Sequence, residues 1–106
     1  MKKVPAKTLG DPIVREQRLA SLEQLHVATL TAFVRTLWRE TGLESAIPCF
    51  DPADGGTDAD ILFLLEAPGP RAVQSGFVSR DNPDETAKNF LLPCHEARID
   101  RRRTVC

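Results

Sequence analysis

Apolar residues along this chain fall into three patterned stretches, separated by segments rich in proline, glycine and acidic residues. In the first, at 100° per residue, Leu19, Leu22, His26, Leu30, Phe33, Val34 and Leu37 share one face. Ser21, Ala28, Ala32, Arg35 and Arg39 lie opposite, which predicts one amphipathic helix over 12–41. Asp11 is placed to cap it, and Pro12 suits the first helical position because its φ is preset and its missing N–H would find no partner there. Gly42 supplies a left-handed stop. The second stretch, Ile61-Leu62-Phe63-Leu64-Leu65, is continuous rather than alternating, which predicts a strand covered on both faces, as in a parallel α/β sheet. In the third, Ala87, Phe90, Leu91 and Cys94 give a second helix one apolar side. Asn82-Pro83-Asp84-Glu85 marks its start: a capping Asn, a Pro at the first position and a Glu able to complete a capping box. Pro93 removes a backbone donor and clashes with the Asn89 carbonyl, so a kink or break is expected there.

The segments between read as tail and loops. Residues 1–10 mix Lys, Pro, Thr and Gly without apolar periodicity and are expected to form a flexible tail, leaving 11–106 as the folded part. Residues 43–59 hold Pro48, Pro52, Gly55, Gly56 and four acidic residues, the composition of a surface loop. Ala67-Pro68-Gly69-Pro70 cannot continue a central strand, and a long loop to Asp81 is expected after it. Beyond the second helix, Thr104-Val105-Cys106 reads as the opening of another strand. The fold class is therefore α/β with a parallel sheet, in one domain, as 106 residues allow.

Charge and cysteine content narrow the chemistry. Fourteen basic against fifteen acidic residues give a net charge of −1, which argues against a generally basic nucleic-acid surface, so any DNA site must be local. No apolar run approaches the roughly 20 residues that span a bilayer, so no membrane association is expected. The basic start is followed by Gly10, Asp11 and Arg15 where a signal peptide needs apolar residues, which predicts a cytoplasmic protein. Three cysteines without a Cys-x-x-Cys pair suit a reducing compartment, and they supply too few ligands for zinc or an iron–sulfur cluster. No metal or other cofactor is expected.

In open α/β sheets ligands bind beyond the carboxyl ends of the strands, and Glu66, Ala67, Pro68 and Gly69 stand there, followed by the loop with Phe77 and Arg80. A carboxylate at such a point can orient a water or offset positive charge, and an aromatic ring offers a stacking surface. The alternatives are a solvated strand terminus for Glu66 and a plug beneath the loop for Phe77. His26 reads as a packed core histidine, and Trp38 as packing. Arg98 and Arg101–Arg103 read either as phosphate contacts or as a solvated surface.

The segment from Ile61 through Glu66-Ala67-Pro68-Gly69, with Ser75-Gly76-Phe77-Val78, Asn82-Pro83 and Glu96-Ala97-Arg98-Ile99-Asp100, resembles the N-terminal half of the uracil-DNA glycosylase superfamily, in the branch carrying Glu-Ala-Pro-Gly. The resemblance covers about residues 12–106. It implies part of a three-layer α/β/α fold and an enzyme of DNA repair by base excision, a hydrolase that flips uracil from single- or double-stranded DNA and cleaves its N-glycosidic bond. Glu66 and Ala67 would then be catalytic, positioning water and stabilising the cation-like sugar. Pro68, Gly69, Phe77, Arg80 and Asn82 would surround the substrate, with Phe77 stacking on the base.

This sequence departs from the family pattern at several points. Leu65 stands where relatives carry Gly, and Pro70-Arg71-Ala72 where some carry acidic residues. Cluster-bearing relatives use four cysteines, so no iron–sulfur cluster is expected here. Relatives often end the second helix with Ala-Gly, whereas Ala97-Arg98 forces an arginine into the left-handed cap at about 1 kcal/mol. Family members also continue through an Asn-bearing strand and a His-containing loop. The expectation is accordingly a truncated fragment, cut after the second helix and the start of the next strand, inactive unless a second half complements it. The alternatives are a catalytically inactive fragment with weak DNA binding and a small protein-interaction module whose exposed sheet edge recruits a strand.

Overall fold

Asp11 and Pro12 start the first helix, α1 (Pro12–Ala20), and the Asp11 carboxylate accepts the Ile13 N–H at 2.9 Å. The structure, a computed structural model, describes residues 4–106; the part of the expected tail at residues 1–3 lies outside the described residues. The rest of that tail does not stand free. Thr8–Gly10 form a 3-10 turn, Leu9 is buried, and its N–H donates to the Asp81 carbonyl at 3.0 Å.

The single helix expected over 12–41 is two helices, α1 and α2 (Leu25–Thr41). Residues 21–24 turn between them, and across the break buried Thr31 donates its hydroxyl to the Leu22 carbonyl at 2.9 Å. Restarting the helix also resets its phase. Val27, Thr31 and Val34 face inward, whereas Phe33, expected on the apolar face, is 56% exposed. Gly42 ends α2 at φ 72, the left-handed stop the sequence predicts.

Two short parallel strand pairs follow, giving a mixed helix and strand domain of α/β character. β1 (Cys49–Phe50) lies inside the segment expected to be all loop, and it pairs with β3 (Phe77–Val78). β2 (Ile61–Leu62) pairs with β4 (Thr104–Val105), the strand opening expected from the sequence. The apolar run 61–65 is not covered on both faces: only its first two residues are strand, and Leu62 and Leu64 are 66% and 90% exposed. Between β2 and β3, where the sequence predicts a loop, Pro70 opens a short helix, α3 (Pro70–Ser75), which Gly76 stops at φ 86.

The last helix, α4 (Glu85–Glu96), begins two residues later than the Asn82-Pro83 signal implies, because Asp84 takes the cap and accepts the Ala87 N–H at 2.7 Å. Pro93 neither breaks nor ends it; it lies exposed inside the last turn. The helix stops in a Schellman turn with Arg98 at φ 57, its N–H on the His95 carbonyl and the Ile99 N–H on that of Cys94. Leu9, Leu22, Val34, Cys49 and Phe77 form the core, with Val14, Trp38, Ile47 and Phe50 packed against it. The radius of gyration, 13.3 Å, is that of one folded unit of about 100 residues.

Candidate active site

β2 delivers the Glu66-Ala67-Pro68-Gly69 turn to the surface, and all four residues are exposed. Gly69 caps α3 and Pro70 occupies its first position, so the proline that ends the strand also starts the next element. Pro68 forms part of the wall of an apolar groove of about 280 Å³, with Phe33, Val34, Phe50 and Val78. Phe50 and Val78 are the last residues of parallel strands β1 and β3, so the groove opens at the carboxyl ends of those strands, where open α/β sheets bind ligands. Phe33 and Phe50 are not singled out by the sequence as site residues. Phe33 lies on the helix face that the sequence reads as core, and Phe50 ends a strand that the sequence does not reveal.

Phe77, Arg80 and Asn82 are brought together, but inside the protein rather than beside Glu66. Phe77 is fully buried in the core, the plug alternative, and in this conformation no face of its ring is open to a base. Asn82 donates to the Phe77 carbonyl at 2.9 Å and accepts from Ser75 Oγ at 2.6 Å, fastening the α3–β3 turn. That buried role displaces the capping role expected of it. Arg80 lies over the Phe90 ring, 4.8 Å from its centroid, and donates to Thr104 Oγ1 at 2.6 Å. Phe90 in turn meets Phe63 edge-on at 4.7 Å.

The strongest electrostatic feature is a buried cluster of Asp51, Asp54 and Asp81 with Arg18, Arg80 and Arg101. Arg101 divides its guanidinium among all three carboxylates, at 2.7 Å to Asp51, 2.7 Å to Asp54 and 2.8 Å to Asp81. Arg18 reaches Asp51 at 2.8 Å and Asp81 at 3.1 Å, and Ser79 donates its hydroxyl to Asp51. Burial works against the Arg101 charge, but the three aspartates outweigh it and hold its pKa above the ordinary arginine value. Burial pushes Asp54 up to about 6 despite Arg101. Cys106, whose Sγ lies 3.8 Å from Asp54, is pushed up to about 12, chiefly by burial. A perturbed carboxyl is a common mark of a catalytic group. Here Asp51 and Asp54 are 1% and 0% exposed and already paired, so the cluster joins α1, the loops after β1 and β3, and Arg101 instead of facing a substrate.

Reading 43–59 as a surface loop misses this cluster. The available signal is Asp51-Pro52-Ala53-Asp54-Gly55-Gly56, where the paired glycines are the informative part. A Cβ on Gly55 would stand 1.9 Å from the Arg102 carbonyl oxygen, and one on Gly56 would stand 2.0 Å from that of His26. The loop is thus pressed between α2 and the chain leading into β4, and His26 Nε2 donates to the Pro52 carbonyl at 2.7 Å. Of the arginines left open between two readings, Arg101 is held in the cluster, Arg103 pairs with Asp60 at 2.8 Å, and Arg98 and Arg102 are exposed.

Among the described residues no group of three or more His, Cys, Asp or Glu is arranged to hold a metal ion, and no helix is long and apolar enough to cross a membrane. Comparison with known protein families, curated proteins and solved structures finds no match to this chain.

Proposed function

We propose that the chain carries the water-positioning part of a uracil-excising site of the uracil-DNA glycosylase type, within what would be a three-layer α/β/α sheet. The observation that carries this reading is the exposed Glu66 carboxylate on a turn following a parallel strand, with Pro68 of that turn walling an apolar groove that also holds Phe33 and Phe50. As an N-glycosidic bond breaks, the sugar becomes cation-like; a carboxylate there both orients water and offsets the charge. The exposed backbone of Ala67, Pro68 and Gly69 leaves room for a nucleotide to approach. Stacking on Phe77 would require the core to open, so in this reading Phe33 and Phe50 are better placed to meet a flipped base than Phe77.

The test is uracil release from single-stranded uracil-containing DNA by the wild type and by Glu66→Ala. A rate that falls by about 10²- to 10⁴-fold in the variant supports the assignment. Equal, nonzero rates remove Glu66 from the mechanism. No release from either, with salt-dependent binding to the same DNA, assigns a binding role without catalysis.

A further inference from the structure

Residues 99–106 are held by polar contacts and hydrogen bonds more than by apolar burial. Ile99, Arg102 and Arg103 are exposed, Val105 and Cys106 are half-buried, and only Thr104 is fully buried. The segment is fastened instead at a series of points on other elements. The N–H groups of Gly55, Asp60 and Phe63 donate to the carbonyls of Thr104, Arg103 and Val105 at 2.8, 3.0 and 2.9 Å. Arg101 enters the three-carboxylate seat, and Arg103 meets Asp60. With few buried apolar contacts in the segment, the cost of opening it is set chiefly by withdrawing Arg101 from its three carboxylates.

The link between this segment and α4 is strained. Arg98 stands at φ 57, a left-handed conformation that an L side chain adopts at a cost and that an extended hinge would relieve. The cluster also holds one unsatisfied group: Arg80 Nε is buried without a hydrogen-bond partner, 3.7 Å from Asp54.

We propose that residues 99–106 exchange between two copies of the chain, giving a domain-swapped dimer in which each segment occupies the other's seat and Arg98 is the hinge. The occupant is fixed by complementarity. The seat offers Asp51, Asp54 and Asp81 to one guanidinium and offers the Ile61–Leu62 edge to a parallel strand, and the segment that satisfies both is carried by every copy. Swapped contacts reproduce the closed ones, so the balance between monomer and dimer is decided at the hinge. Eight residues span up to about 27 Å when extended, enough to reach a neighbouring molecule.

Light scattering on size-exclusion fractions over a range of concentrations, with hydrogen exchange on each species, tests this. The wild type is expected to form a concentration-dependent dimer in which the Asp60 and Phe63 amides stay protected. Arg98→Gly makes the closed hinge free of strain, worth about fivefold per hinge and therefore about 25-fold in the dimerisation constant. Arg98→Pro fixes φ near −65° and cannot close, so it is expected to be dimeric at concentrations where the wild type is monomeric. A wild type that stays monomeric throughout overturns the proposal, as does a dimerisation constant unchanged by Arg98→Gly. So does a dimer lost in Leu64→Lys but insensitive to Arg98, which would assign association to the exposed leucines. The comparison of wild type with Arg98→Gly decides the matter even where Arg98→Pro fails to fold.

Discussion

Replacing Asp54 by asparagine isolates the pH dependence of one buried carboxyl. Burial raises its pKa from the ordinary 3.8 to about 6, with Arg101 pulling the other way and Asp51 adding to the rise. A group with a raised folded pKa binds its proton more tightly in the folded state. Its stabilising contribution is therefore complete below about pH 4 and is lost as the pH rises through about 6. The difference is about 2 pH units, which at about 1.4 kcal/mol each is about 3 kcal/mol. Asp60 and Glu85 act in the opposite sense, because hydrogen bonds from Arg103 and Lys7 hold their pKa values down. Both are solvent-exposed, and both are present in the variant as well, so their contribution cancels in the difference. Urea unfolding of wild type and Asp54→Asn at matched ionic strength, from about pH 4 to about pH 7, measures that difference. Relative to the variant, the wild type is expected to lose about 3 kcal/mol over this range. Curves that run parallel within about 0.5 kcal/mol would mean that Asp54 is not desolvated in the folded protein.

Three further substitutions probe the same architecture. Gly55→Ala drives a Cβ against the Arg102 carbonyl and is expected to cost about 1–3 kcal/mol and to release the Asp60 and Phe63 amides in hydrogen exchange. Phe77→Ala empties a fully buried site and is expected to cost about 3–5 kcal/mol in a denaturant melt; a loss below about 1 kcal/mol would show that the ring is not core. Glu66→Ala alters an exposed carboxylate and is expected to leave the unfolding midpoint within about 0.5 kcal/mol of wild type, so that its effect on uracil release reports on chemistry alone.

Some elements are legible in the sequence because local chemistry alone sets them. Asp11-Pro12 and Gly42 mark helix ends, since capping and left-handed φ depend on the residue and its immediate neighbours. His26 in the core follows from the apolar helix face it shares, whereas the left-handed Arg98 follows only from the family resemblance and not from its own local chemistry. The apolar run marks a parallel strand at Ile61 and Leu62 alone, without the cover on both faces that it predicts, and Thr104-Val105 is its partner. Glu66 is exposed, but it stands four residues past the end of β2, because the strand is shorter than the apolar run that announces it.

What the tertiary structure decides depends on partners distant in sequence. Periodicity cannot show the break at 21–24, because its compensation comes from Thr31 and from Arg18 meeting Asp51 and Asp81. Asn82 carries the composition of a cap but is recruited by Ser75 and Phe77, which leaves the cap to Asp84. The acidic loop reads as solvated until Arg18, Arg80 and Arg101 converge on it from three separate parts of the chain, making Asp51 and Asp54 among the most buried of the described residues. A side chain's local preference is set by neighbours a turn away. Whether its charge lies in water or in the interior is set by where the chain returns, and only the folded structure fixes that.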